Sequence, residues 1–117
     1  KLLKREAQID WNEPAEVFER RVRAFNPWPV AWCLAGSERL RIWRAEVPSA
    51  AQGEGHAAIP GTVLGTDRTV IDVATGRGVL RLLELQRPGK RRLNATDFLN
   101  AGTLPASLGG SAGDSGR

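Results

Sequence analysis

Apolar and polar positions change their period once along this chain, and the change divides it. Ala15, Phe18, Val22 and Phe25 recur every three or four residues, the single apolar stripe of a helix. Asn12 is its expected cap. Glu13 and Glu16 fall in the first turn, where carboxylates are favoured, and Pro14 sits where its missing amide would be unpaired anyway. Arg20, Arg21 and Arg23 lie on or beside the opposite face near the C-terminal end, where they complement the helix dipole whether or not they meet a ligand. Pro27 and Pro29 then fix φ and push the residues before them out of helical space, so residues 25–32 form a stiff joint. Trp28 and Trp32 bracket that joint and are expected to pin the helix end to a sheet, a core role rather than base stacking.

After the joint the period becomes two. Residues 30–35 read as a strand, Gly36-Ser37 as a turn and residues 39–47 as a second strand. In that strand Leu40 and Ile42 keep one parity and Ala45 and Val47 the other, so facing all four inward requires a β-bulge near Trp43 and Arg44. Arg39, Arg41 and Arg44 then point outward. A turn-rich loop over residues 48–60 carries the only histidine, His56, which lacks a catalytic partner and is expected to be solvated. Residues 61–64 and 69–74 form a hairpin around Asp67-Arg68, Gly76-Arg77-Gly78 is a tight turn, and residues 79–86 make a last strong strand. Arg87-Pro88-Gly89-Lys90-Arg91-Arg92 turns the chain and gathers four bases in six residues. Asn94, with Asp97 three residues on, opens a short helix that Gly102 ends. The expected fold is mainly β: about five short bent strands forming a small barrel or a strongly coiled sheet, with an N-terminal helix and a short C-terminal helix.

The two ends of the chain read differently. Residues 1–11 carry a charged start and an apolar finish, a linker expected to dock through Ile9 and Trp11. Residues 12–102 hold the folded domain, and residues 103–117, rich in Gly, Ser and Ala, read as a flexible tail. Because the first residue is Lys1 rather than Met, a piece of a longer chain is expected.

Charge adds a partner class. The 117 residues hold 17 Lys plus Arg against 13 Asp plus Glu, a net charge of +4, and 14 of the bases are arginine. The guanidinium fork suits phosphate oxygens, which points to an anionic partner, nucleic acid first. Lone Cys33 excludes an internal disulfide, and no Cys/His spacing suits zinc, so a reducing, cytoplasmic compartment is expected and no metal. No apolar run approaches the roughly 20 residues of a membrane span, and no leader pattern is present. No nucleophile stands beside a base, and Gly76-Arg77-Gly78 lacks the following helix of a dinucleotide fingerprint, so this stretch is not expected to catalyse anything itself.

The order of several motifs carries a resemblance. Residues 4–11 (KREAQIDW) and 23–29 (RAFNPWP) come first, then Pro60-Gly61-Thr62-Val63 and Val73-Ala74-Thr75-Gly76, and last LELQRPGK at residues 83–90 and Asp97-Phe98-Leu99-Asn100. In this series, over residues 1 to about 102, the chain resembles the C-terminal domain of the methionyl-tRNA formyltransferase family. The resemblance implies an OB-like barrel that holds initiator tRNA while an N-terminal Rossmann-like domain, outside this sequence, moves the formyl group of 10-formyltetrahydrofolate onto the methionine amino group. It implies no catalytic residue here, no cofactor bound by this stretch, and a monomer. It assigns the arginines a task, since RNA helices are held by shape and phosphate. Lys90, Arg91 and Arg92 rank first for phosphate contact, Arg39, Arg41 and Arg44 next, then Lys1, Lys4 and Arg5 in the linker. The alternatives are a related domain of a sugar-nucleotide formyltransferase or formyltetrahydrofolate dehydrogenase, or a basic module that pairs with an acidic protein.

Overall fold

The computed structural model describes residues 8–26, 30–48, 58–64 and 68–109. Helix α1 spans Ala15–Ala24 and buries the anticipated stripe: Ala15, Phe18, Val22 and, just past its end, Phe25. Its start differs from expectation. Pro14, in extended conformation, is the N-cap, and Asn12 spends its side chain on Asp10 Oδ1 at 3.1 Å instead. Proline cannot cap with a side chain, so the orphan amide of Ala15 is met by the Arg77 carbonyl at 3.0 Å. The tight turn after the fourth strand thus supplies what a capping side chain would have given. Close approach fixes the turn's composition, because a Cβ on Gly76 would lie 1.8 Å from the Asn12 carbonyl oxygen. Glu13 pairs with Arg21 at 2.7 Å and Glu19 with Arg23 at 2.7 Å, so two of the three helix arginines are already engaged.

At the joint, the Val30 amide donates to the Phe25 carbonyl at 2.8 Å and closes the turn. Pro27, Trp28 and Pro29 lie outside the described residues, and the pinning role expected of Trp28 lies there with them. Strands β1 (Ala31–Ala35), β2 (Glu38–Glu46), β3 (Val63–Leu64), β4 (Asp72–Ala74), β5 (Val79–Gln86) and β6 (Leu93–Asn94) follow. Helix α2, Ala95–Ala101, comes last, its N-cap Asn94 accepting the Asp97 amide at 2.8 Å as the sequence pattern foretold. The sheet is antiparallel in the order β1-β2-β5-β4-β3, with β6 also paired to β5. This is a curled half-barrel of five strands, the architecture expected.

The expected change of parity falls within β2. Pairing to β5 slips between Ile42 and Arg44 and again between Arg44 and Ala45, which leaves Trp43 without a partner at a bulge. Leu40 and Ile42 face the core. Val47, expected inward, lies one residue past the end of β2 and is 37% exposed, because the strand stops before its side chain can be turned in.

The core gathers Phe18 of α1, the inward residues of β1, β2, β4 and β5, and Phe98 of α2. Two segments outside the expected domain bounds complete it. Ile9 and Trp11 are 1% and 2% exposed, the Ile9 amide donating to the Trp32 carbonyl and Trp11 packing edge-on to Phe18 at 5.3 Å. At the other end the reading of a tail from residue 103 does not hold for residues 103–109. Gly109 exchanges backbone hydrogen bonds with Leu34 of β1, while Leu108 and Ala106 bond to Gly61 and Val63 beside β3. β1 and β3 are the two edges of the sheet, so this strap closes the open side of the half-barrel and buries Leu108 at 4% exposure. Gly61 permits it: with φ +97°, a Cβ there would stand 2.5 Å from the Leu108 carbonyl oxygen. Polar, small-residue composition concealed the strap because its contribution is made by backbone amides.

Candidate nucleic-acid interface

The pleat decides which side chains reach solvent. In β1, Ala31, Cys33 and Ala35 are buried and Trp32 and Leu34 lie on the other side. Burial pushes the Cys33 thiol up to about 12, so it is an inert part of the core. In β2, Arg39 and Arg41 alternate with buried Leu40 and Ile42. Register then aligns the outer positions: Leu34 stands opposite Arg39, Trp32 opposite Arg41, and Arg41 opposite Gln86 of β5. One outer surface therefore carries Trp32, Arg39, Arg41 and Gln86, with Trp43 at its bulged margin.

The turn after β5 folds onto this same surface. Gln86 is the tie: its side-chain oxygen accepts the Trp43 indole N–H at 2.9 Å, and its amide nitrogen donates to the Lys90 carbonyl at 2.7 Å. Arg92 lies over the Trp43 ring at 4.2 Å, and Arg39 lies over Trp32 at 4.0 Å. Such contacts hold flexible guanidinium groups near one geometry and reduce the entropy lost on binding. Two basic groups separated by about fifty residues of sequence become one surface, formed by Arg39 and Arg41 on the strand and Lys90 and Arg92 on the turn.

Availability distinguishes these cations from the rest. Arg39, Arg41, Lys90 and Arg91 are exposed and make no ion pair among the described residues. Arg92 has a loose contact of 3.7 Å to Glu84. Arg81, by contrast, is bidentate to Asp72 at 2.8 and 3.1 Å, a hydrogen bond that pushes its pKa further up. Arg44 is exposed too, and beyond the bulge it borders a hollow of about 450 Å3 together with Trp43, Glu19, Arg23 and Glu46. Lys1, Lys4 and Arg5 lie outside the described residues; Gln8, the first described residue, bridges in parallel to Trp32, which shares the outer surface with Arg39 and Arg41. Trp43 and Gln86 were not singled out for the site in the sequence. The parity break marked Trp43 as a bulge, but only the register shows that its indole reaches Gln86.

A curled half-barrel with a basic, aromatic-backed outer sheet is an OB-like architecture. Comparison with known proteins narrows it: the family described as "Formyl transferase, C-terminal domain" matches residues 1–102, and the chain belongs to that family. It is 53% identical over 108 residues to the methionyl-tRNA formyltransferase of Nitrosococcus oceani, and 50% identical over 104 residues to that of Methylococcus capsulatus. The matches cover 92% and 89% of this chain but 32% of each relative, so the chain spans about a third of their length. Among solved structures, HypX from Aquifex aeolicus in complex with tetrahydrofolic acid superposes with TM-score 0.65 at 18% identity, over 85% of this chain and 17% of HypX. A HypX variant superposes with TM-score 0.66 at 17% identity, over 86% of this chain and 18% of the other. At that identity the likeness speaks for the fold alone.

Proposed function

We propose that this chain is the tRNA-holding domain of a methionyl-tRNA formyltransferase. Its Arg39, Arg41, Lys90, Arg91 and Arg92 surface grips the phosphate backbone of initiator tRNA. Formyl transfer from 10-formyltetrahydrofolate to the methionine amino group is then the work of an N-terminal catalytic domain. The observation that carries the reading is the joining of the strand and turn cations through Gln86 and Trp43, with Arg39 held over Trp32 on the same sheet. The two relatives of 50% or greater identity supply the substrate class by name.

The physical role follows from the geometry. Arg41, Lys90 and Arg91, without carboxylate partners among the described residues, give salt-sensitive affinity through counterion release. Arg39 and Arg92, each held over an indole ring, fix where that affinity acts. A convex basic sheet reads the shape of an RNA helix and not its base sequence, so discrimination among tRNAs is left to the other domain. Titrating the chain with initiator and elongator tRNAs at two salt concentrations tests this. Weak binding to both that falls steeply with salt is expected; strong preference for the initiator, or salt-independent binding, would refute it.

A further inference from the structure

Arg87 opens the basic turn but is held apart from its other cations. Its guanidinium lies over the Phe98 ring at 4.5 Å, donates to Glu38 Oε1 at 2.9 Å and donates to the Thr103 carbonyl at 2.8 Å. Gly102 packs against it, since a Cβ there would come within 3.3 Å of Nη2. An arginine restrained in this way, with only 24% of its side chain exposed, is a fixed plate and not a mobile charge.

That plate borders a groove of about 590 Å3 between the turn and α2. The volume falls within the roughly 300–1,000 Å3 usual for small-ligand sites. Leu93 and Phe98 make the groove partly apolar, and Lys90 and Arg91 stand at it without an ion pair among the described residues. Asp97 and Asn100 also line it, and neither side chain makes a hydrogen bond or ion pair among the described residues. Asp97 contributes only its backbone amide to the helix cap, which leaves its carboxylate to the groove.

We infer that this groove is a subsite for one unpaired guanine nucleotide of a bound RNA. The base stacks on the Arg87 plate and the phosphate meets Lys90 and Arg91. Unstacked RNA bases are commonly received on guanidinium planes, and a duplex is too wide to enter. The Asp97 carboxylate selects the base: guanine alone offers two adjacent N–H donors on its Watson–Crick edge, where adenine and cytosine place an acceptor. The same carboxylate disfavours an acidic peptide. The inference rests on the RNA-holding reading and adds to it a second contact on the other side of the basic turn.

Amide NMR of the 117-residue chain tests it with GMP, AMP, inorganic phosphate and hexaglutamate as probes. GMP should shift signals of residues 87–101 saturably, about tenfold more tightly than AMP, the size of one charge-assisted hydrogen bond. Phosphate should move Lys90 and Arg91 alone. Asp97→Asn, which keeps the backbone cap, should bring GMP to the level of AMP. Ala101→Trp should fill the groove and abolish both nucleotide responses while the spectrum elsewhere stays folded. Equal responses to GMP and AMP in the native chain, responses from phosphate or hexaglutamate matching those of GMP, or none at residues 93–100 would overturn the subsite. A chain that binds tRNA with steep salt dependence yet leaves the groove unmoved by GMP loses this inference alone; one that takes GMP but no tRNA loses the reading beneath it.

Discussion

Strand β5 carries arginine chemistry at both ends of its outer side, and the two ends are built differently. Near its start, Arg81 faces Asp72 across the β4 pairing and is also 3.8 Å from Glu46, so a cation is matched to two carboxylates. Near its end, Gln86 faces Arg41, and the turn beyond brings Lys90 and Arg91 with no carboxylate partner among the described residues. One end uses charge to hold the sheet. The other leaves charge unspent, and only unspent charge can trade counterions for phosphate. A net charge of +4 therefore does not locate an interface; the pairing of each base does.

The sharpest way to break this comparison is to reverse the free end. The triple variant Arg41→Glu, Lys90→Glu, Arg91→Glu should weaken tRNA binding about 100-fold, and the slope of log affinity against log salt should fall by about three. Folding stability should stay within about 0.5 kcal/mol of the parent, because no paired group is touched. Fluorescence anisotropy at several salt concentrations, with a urea melt beside it, reads both. The paired end should behave in the opposite sense. Arg81→Ala strands Asp72 in a half-buried site and should lower stability by about 1–2 kcal/mol, while tRNA affinity changes less than about twofold. An Arg81→Ala variant that kept its stability and lost its RNA would invert the assignment of the two ends.

Much of this was legible in sequence, and the limit has a physical cause. Helix α1, the bulge at Trp43 and the Asn94 cap of α2 each follow from local rules, namely period, parity and side-chain reach. What stayed hidden depended on backbone groups meeting across the fold. Asn12 looked like a cap until Arg77 supplied a carbonyl from more than sixty residues away, and residues 106–109 looked like a tail until Gly61 and Leu34 offered unpaired amides and carbonyls. The site divides in the same way. Its cations could be named from charge clustering, but their union on one surface depends on Gln86, a residue whose importance lies wholly in register.

The inner side of the same strands offers a control. Burial raises the Cys33 thiol from 9.0 to about 12. A thiol raised in the folded state ionises first in the unfolded chain, so its contribution is complete below pH 9 and fades as pH climbs toward 12. By pH 10 the loss should be on the order of 1 kcal/mol. Urea midpoints at pH 8 and pH 10 measure it, and Cys33→Ala should flatten that part of the dependence. Native protein should also resist thiol reagents at pH 8. Rapid labelling would mean that the inner side opens, and outer-face variants could then no longer be read as surface changes.

The smallest expected effect distinguishes the tie from the charges it gathers. Gln86→Leu deletes the acceptor of the Trp43 indole and the donor to the Lys90 carbonyl but removes no cation. One of the two lost hydrogen bonds is partly buried and the other exposed, so water can replace them, and stability should fall by about 1 kcal/mol or less. The turn then samples more positions, so the cations must be ordered when RNA arrives. That ordering should reduce tRNA affinity about fivefold and leave the salt slope unchanged, because the same phosphates are neutralised once the complex forms. Slope and intercept thus report different things: charge reversal changes both, and loosening the tie changes the intercept alone. A Gln86→Leu chain whose slope dropped by about one would show that Lys90 or Arg92 leaves the surface altogether without its anchor, making the tie part of the interface and not merely its support.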